Sequence, residues 1–298
     1  MTDTFMGVGA PMIDSDVVVL GAAMATVYPD RDPHATDGPG AIRAASRRLA
    51  RFAGNYDFDI DAPFAPWLRL VGDAGDINTA RVDAEGNRRR ITSKVSAVVD
   101  GGSMPLLLGG DDSVAEPFVG GWRDHGPITV VHIDAHLDFR DEVRGESHGY
   151  SSPMRRASEM GWVRRIIHMG QRGVGSAGPV DVQDTIDAGN VIVRARELAH
   201  EGPQAVARRL AEGERFVIVY DVDGTDPADI PAVRAAVPGG PGAVVMGDLF
   251  AALAARGSLV GLVVTEFEPA LDPGGTSALT LVRVLCRALD GRLRPQLA

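Results

Sequence analysis

Three short segments carry residue types and spacings suited to chemistry: Gly109-Gly110-Asp111-Asp112-Ser113, His132-Ile133-Asp134-Ala135-His136-Leu137-Asp138 and Tyr220-Asp221-Val222-Asp223-Gly224. Each follows an apolar run that reads as a strand. Residues two apart in an extended chain point the same way. Asp134, His136 and Asp138 are therefore expected on one face, and Asp221 and Asp223 on one face of their own strand. Such pairs lie about 6.5–7 Å apart, a span that can flank two cations about 3.5–4 Å apart. Carboxylates crowded this closely at buried strand ends repel one another and shift their pKa values unless cations are present. A mixed Asp/His set without cysteine suits hard or borderline divalent ions, Mn²⁺ first, with Ni²⁺ and Co²⁺ compatible. A lone aspartate after a strand is ordinarily a turn former or cap. The two motifs together, both at strand ends, point instead to a two-ion site. His132 shares the parity of Asp134 but sits deeper, where it could either pack or support a ligand.

These segments need a scaffold that delivers several strand ends to one place. Eight short runs read as strands: Val17–Gly21, Leu68–Gly72, Pro105–Leu108, Thr129–Ile133, Arg165–Gly170, Val191–Val193, Phe216–Asp221 and Leu259–Glu266. Most are continuously apolar, as expected when both faces of a parallel sheet are covered. Between them lie helix-like stretches at 39–51, 88–99, 115–123, 153–160, 204–212, 248–256 and 277–290. Proline in a first turn marks two of the starts, at Pro39 and Pro153. This alternation predicts a three-layer α/β/α fold on an eight-stranded, mainly parallel sheet, as one domain spanning residues 1–298. In such sheets ligands sit beyond the carboxyl ends of the strands. The long irregular stretches 26–37, 139–152 and 225–242 are expected to be binding loops around that edge.

Composition narrows the class. The 298 residues carry 40 Asp plus Glu against 30 Lys plus Arg, a formal charge of −10 that argues against nucleic acid or an anionic membrane surface as partner. One cysteine, Cys286, excludes an intrachain disulfide and any multi-cysteine metal cluster, and its apolar helix pattern reads as core. No apolar run reaches the roughly 18–20 residues of a membrane span. Met1-Thr2-Asp3-Thr4 lacks the basic start of a secretory leader, so a cytoplasmic location is expected.

At these motifs the chain resembles the ureohydrolase family of arginase, agmatinase and related guanidino-compound hydrolases, agmatinase more closely than arginase. Asp37-Gly38-Pro39-Gly40-Ala41-Ile42-Arg43, Asp73-Ala74-Gly75-Asp76, Ser147-His148-Gly149 and Glu266-Phe267-Glu268-Pro269 are similar to further family segments, in the same order. The resemblance implies that Asp112, Asp134, His136, Asp138, Asp221 and Asp223 hold two divalent ions, with Asp138 and Asp223 bridging them. Asp112 stands where the family usually has histidine, exchanging a neutral nitrogen for an anionic oxygen. The implied reaction is attack of a metal-bridging hydroxide on a guanidinium carbon, followed by collapse to urea and an amine. Glu266 would grip the guanidinium and His148 would shuttle the proton to the leaving amine. The family also implies a homo-oligomer, trimer or hexamer. Five of the implied ligands are carboxylates, so half of the formal −10 belongs to one site.

Two other readings compete. Asp112 raises the alternative of a non-catalytic partner subunit for an active paralogue. Gly173-Val174-Gly175-Ser176-Ala177-Gly178 fits the dinucleotide fingerprint Gly-x-Gly-x-x-Gly, but it lies mid-chain with Pro179 behind it and leaves the aspartates unexplained. The guanidino substrate stays open; agmatine is the family default.

Overall fold

The eight apolar runs read as strands all enter one sheet. The computed structural model describes residues 3–297, so Met1 and Thr2, read above for a leader, lie outside the described residues. The strands are β1 (Val17–Ala22), β2 (Tyr56–Asp57), β3 (Ala62–Pro63), β4 (Val71–Asp76), β5 (Met104–Gly109), β6 (Ile128–Ile133), β7 (Val163–Gln171), β8 (Val191–Arg194), β9 (Arg215–Asp221) and β10 (Ser258–Thr265). Eight form a sheet in the order β4-β1-β5-β10-β9-β6-β7-β8, while β2 and β3 make a separate antiparallel pair. Every neighbouring pair in the large sheet is parallel.

Alternate residues of each central strand serve opposite layers. Ile218 and Tyr220 of β9 pack on the side of helices Gly38–Ala50, Ala243–Arg256 and Thr276–Leu293; Val217 and Val219 face helices Ala84–Asp100, Ala115–Gly120 and Pro153–Ser158. Because both faces are covered, the strands lack a polar face, which is why they read as unbroken apolar runs. The edge strand β4 differs. Leu68–Leu70 is a 3₁₀ turn, and pairing begins at Val71 and runs on through Asp73-Ala74-Gly75-Asp76. With β1 as its single neighbour, β4 tolerates this polar end. Arg43 explains why it stays ordered: its guanidinium donates to both oxygens of buried Asp73 at 2.8 and 3.0 Å, and to Asp76 at 2.5 Å.

Two helices have no clear signal in the sequence: Pro179–Asp187 and Ala195–Glu201. The first begins where Gly178 donates its amide to Asp181 Oδ2 at 2.7 Å, with Pro179 in the first turn. The glycines before it serve packing: a Cβ on Gly175 would lie 2.7 Å from the ring of His136. Among the described residues, no helix is long and apolar enough to cross a membrane.

Candidate metal centre

The strand order sets β5, β10, β9 and β6 side by side at the middle of the sheet. Their carboxyl ends deliver the acids of the three opening segments together with Glu266: Asp111 and Asp112 after β5, Glu266 after β10, Asp221 at the end of β9 with Asp223 just beyond it, and Asp134 and Asp138 after β6. This is where parallel α/β sheets place their ligands.

The acids converge, though not by strand parity. β6 ends at Ile133, and Asp138 adopts a left-handed backbone with φ of 44°. β9 ends at Asp221, and Asp223 sits in the 3₁₀ turn Val222–Gly224, which Asp221 caps by accepting the Asp223 amide at 2.8 Å. The i, i+2 residues therefore meet because the chain turns immediately after each strand and folds back over its end. Gly170 makes room for this: a Cβ there would lie 2.9 Å from the carbonyl oxygen of Asp134.

Three sets of potential ligand atoms result, the atoms of each lying within 4.8 Å of one another. They are Asp134, His136 and Asp223; Asp134, Asp138 and Asp221; and Asp112, His132 and Asp138. All six residues expected as ligands appear among them, with His132 in addition. The donor set fits divalent cations on an internal criterion. Asp112 Oδ2 and Asp134 Oδ2 are buried without a hydrogen-bond partner, an arrangement native proteins rarely leave unmet. Asp112 Oδ1 is held by Thr265 Oγ1 at 2.7 Å, which fixes the carboxylate and leaves its other oxygen available. Oxygen-rich sites with one or two imidazoles suit Mn²⁺-like ions.

The electrostatics point the same way. Burial, then repulsion from Asp134, holds Asp112 and Asp138 well above the usual carboxylate range. Burial and Asp223 do the same to Asp221, while burial and Asp134 lift Asp223 to about 7. Asp134 is the exception. Burial opposes its charge, but His132 and His136 outweigh that and hold it below the usual range. His136 shows the reverse balance: burial alone would depress it, yet Asp134 and Asp223 raise it to about 11. Its Nδ1 lies 3.0 Å from Asp223 and 3.4 Å from Asp134. Without cations, the cluster must retain protons that the surrounding burial cannot stabilise as charge.

Behind Asp134 lies a buried pair of histidines. His132 Nε2 is 3.0 Å from Asp134 Oδ2, though not aligned as a hydrogen bond, and His132 Nδ1 is 2.9 Å from His168 Nδ1. His168 had no context in the sequence; its neighbour across the β6–β7 ladder supplies one.

His136, Asp138, Asp221, Asp223 and Glu266 line an open cavity of about 390 Å³. Glu266, left-handed with φ of 66°, accepts the Asp112 amide on Oε1 at 2.9 Å and faces His34 Nε2 on Oε2 at 2.7 Å. His34 is a residue the spacing could not reveal. The expectation that 26–37 is a binding loop was the available signal, and His34 lines the cavity from that loop. His148 lies elsewhere: its Nδ1 is 2.8 Å from Glu116 Oε2, and it is not among the residues lining this cavity.

The family is settled by comparison with known proteins. The Arginase family model matches residues 15–290. The chain is 31% identical over 282 residues to a mitochondrial agmatinase of Gallus gallus, covering 92% of this chain and 80% of that protein. It is also 31% identical over 271 residues to a guanidinopropionase of Pseudomonas aeruginosa, covering 87% and 83%. Among solved structures, the proclavaminate amidino hydrolase from Streptomyces clavuligerus superimposes with a TM-score of 0.86 at 25% identity, covering 99% of this chain and 98% of that one. Fold and site thus define an arginase-like hydrolase. The chain belongs to the arginase family.

Proposed function

We propose that this chain hydrolyses a small guanidino compound to urea and an amine at a centre of two divalent cations. The convergence of Asp112, Asp134, His136, Asp138, Asp221 and Asp223 beneath an open cavity carries the reading, because Asp112 Oδ2 is buried there without a partner and Asp134 Oδ2 has only the unaligned His132 ring beside it. Its relatives support it, being described as an agmatinase and a guanidinopropionase. When bound, the cations supply a Lewis acid and a water acidified towards neutral pH. Mn²⁺ is the first choice for this donor set, with Ni²⁺ and Co²⁺ compatible.

The chain's own groups do the rest. Glu266 holds the guanidinium through charge-assisted contacts, its orientation fixed by the Asp112 amide. Asp138, which belongs to two of the three ligand sets, and Asp223 are assigned as the residues that would bridge the ions, as the family resemblance implies. His148, which Glu116 holds outside the cavity lining, is assigned the relay of protons between the site and solvent and not direct contact with the leaving amine. His34 faces Glu266 directly and positions it. The two histidines make separable predictions. His148→Asn is expected to lower kcat about 10²-fold with KM little changed, as for lost general acid–base catalysis. His34→Asn is expected to raise KM, because the loosened Glu266 binds substrate and transition state alike more weakly. Steady-state kinetics of both variants check this; a larger kcat effect at His34 than at His148 would reverse the assignment.

The decisive experiment is urea release from a panel of guanidines after loading with Mn²⁺, Ni²⁺ or Co²⁺. Turnover of at least one compound, dependent on metal and lost on chelation, is expected. No urea from any compound, with two ions bound per chain, would refute the hydrolase reading and favour the non-catalytic partner that Asp112 suggests.

A further inference from the structure

The cavity has a floor and a mouth of opposite charge. Acids line the floor, whereas Arg31, Tyr150 and Arg234 stand around the opening. Arg31 is exposed and forms no ion pair among the described residues. Its acidic neighbour at the mouth, Asp32, is engaged instead by Arg81 at 2.8 Å. Arg234 meets Glu268 through Nε at 3.1 Å, which leaves both terminal nitrogens of its guanidinium free. Both charges are felt inside the cavity. Burial raises the Tyr150 phenol and Arg31 opposes that rise, while Arg234 opposes the rise that Glu266 imposes on His34 against its burial. A family enzyme needs only the acidic floor to hold a guanidinium. The unpaired guanidinium of Arg31 and the two free terminal nitrogens of Arg234 are costly neighbours for a second cation and good partners for an anion.

We propose that Arg31 and Arg234 select guanidino compounds whose far end is a carboxylate, and reject those ending in an ammonium group. The inference rests on the guanidino-hydrolase reading and deepens it. A substrate with a cation at one end and an anion at the other lies along the field from mouth to floor, so it is oriented as well as bound. The volume, about 390 Å³, is at the lower end of the range for small-molecule sites. Both arginines bind the far end and take no part in bond breaking.

The test uses three compounds with the same number of chain atoms beyond the guanidine on the Mn²⁺-loaded protein: 4-guanidinobutanoate, agmatine and pentylguanidine, ending in carboxylate oxygen, ammonium and methyl respectively. The expected order of kcat/KM is carboxylate, then methyl, then ammonium, with the carboxylate ahead of agmatine by at least about tenfold. Arg31→Met and Arg234→Met are each expected to reduce that preference about tenfold, through KM for the carboxylate and with kcat for it little changed. Calorimetric titration of the loaded protein with 4-guanidinobutanoate should show the same weakening in Kd. Turnover of any of the three with agmatine equal or preferred, or an unchanged preference in both variants, overturns this proposal and leaves the hydrolase reading standing. Absence of urea from all three, with metal bound, overturns both.

Discussion

Asp134→Ala is expected to abolish metal binding and turnover while leaving a folded chain. Asp134 belongs to two of the three ligand sets and is fully buried, and it is the one acid of the cluster held below the usual carboxylate range. Its charge is therefore present in the metal-free protein and attracts the first cation, whereas its neighbours must lose protons to follow. Losing both ions removes the Lewis acid and the acidified water together. A fall in kcat of about 10³-fold or more is expected, roughly 4 kcal/mol of barrier. The fold should survive, because removal of this carboxylate also relieves its repulsion of Asp112, Asp138, Asp221 and Asp223. Metal content after dialysis, circular dichroism and urea assays read the three parts separately. Retained activity with two ions bound would refute the site.

The second large effect is the pH dependence of the metal-free protein. Asp111 and Asp223 are each lifted to about 7, Asp111 by burial and Glu266, Asp223 by burial and Asp134. A carboxyl whose folded pKa lies above its unfolded value is the better proton holder when folded. Its contribution is fully present below the unfolded value near 4 and disappears as pH rises towards 7. Asp112, Asp138 and Asp221 are raised as well and act in the same sense. His136, raised to about 11, adds to the trend above pH 6.5, where the unfolded ring has lost its proton but the folded one has not. Chelated protein is thus expected to lose stability steadily between pH 4 and 8. A single group shifted by about three pKa units accounts for roughly 4 kcal/mol. Metal-loaded protein should show the reverse between pH 5 and 7, since cations bind the deprotonated ligands and stabilise the folded state by mass action. Thermal melts with and without chelator across this range should diverge as pH rises. Parallel curves would mean that the acids hold no cations.

The sheet was legible in the sequence because burial on both faces makes its strands stand out as apolar runs. Val217 to Tyr220 is such a run, with alternate residues feeding two different cores. The edge was less legible, since β4 continues into Asp73-Ala74-Gly75-Asp76 where only β1 and Arg43 hold it. The convergence of Asp134, His136, Asp138, Asp221 and Asp223 was legible through residue type and spacing, yet the spacing brings them together for another reason. Asp138 and Asp223 reach their neighbours through a left-handed residue and a 3₁₀ turn, not through an extended strand. His34, His132 and His168 depend on contacts between distant segments, which no local pattern encodes. His148 matched a motif, but local sequence does not determine which carboxylate its loop meets, and here that partner is Glu116.

The centre draws its groups from Asp112 to Glu266, across four strands that become neighbours only after crossover connections have closed. Closing such long loops is the slow part of building a parallel sheet. A partly folded chain, or one released early from synthesis, holds isolated Asp-x-His and Asp-x-Asp pairs but no shared pocket for a cation. Tight uptake of metal should therefore lag behind helix formation during refolding and report the final docking of the central strands. The ions would then act as a latch on completed molecules, and metal supply would set how many newly made chains stay folded.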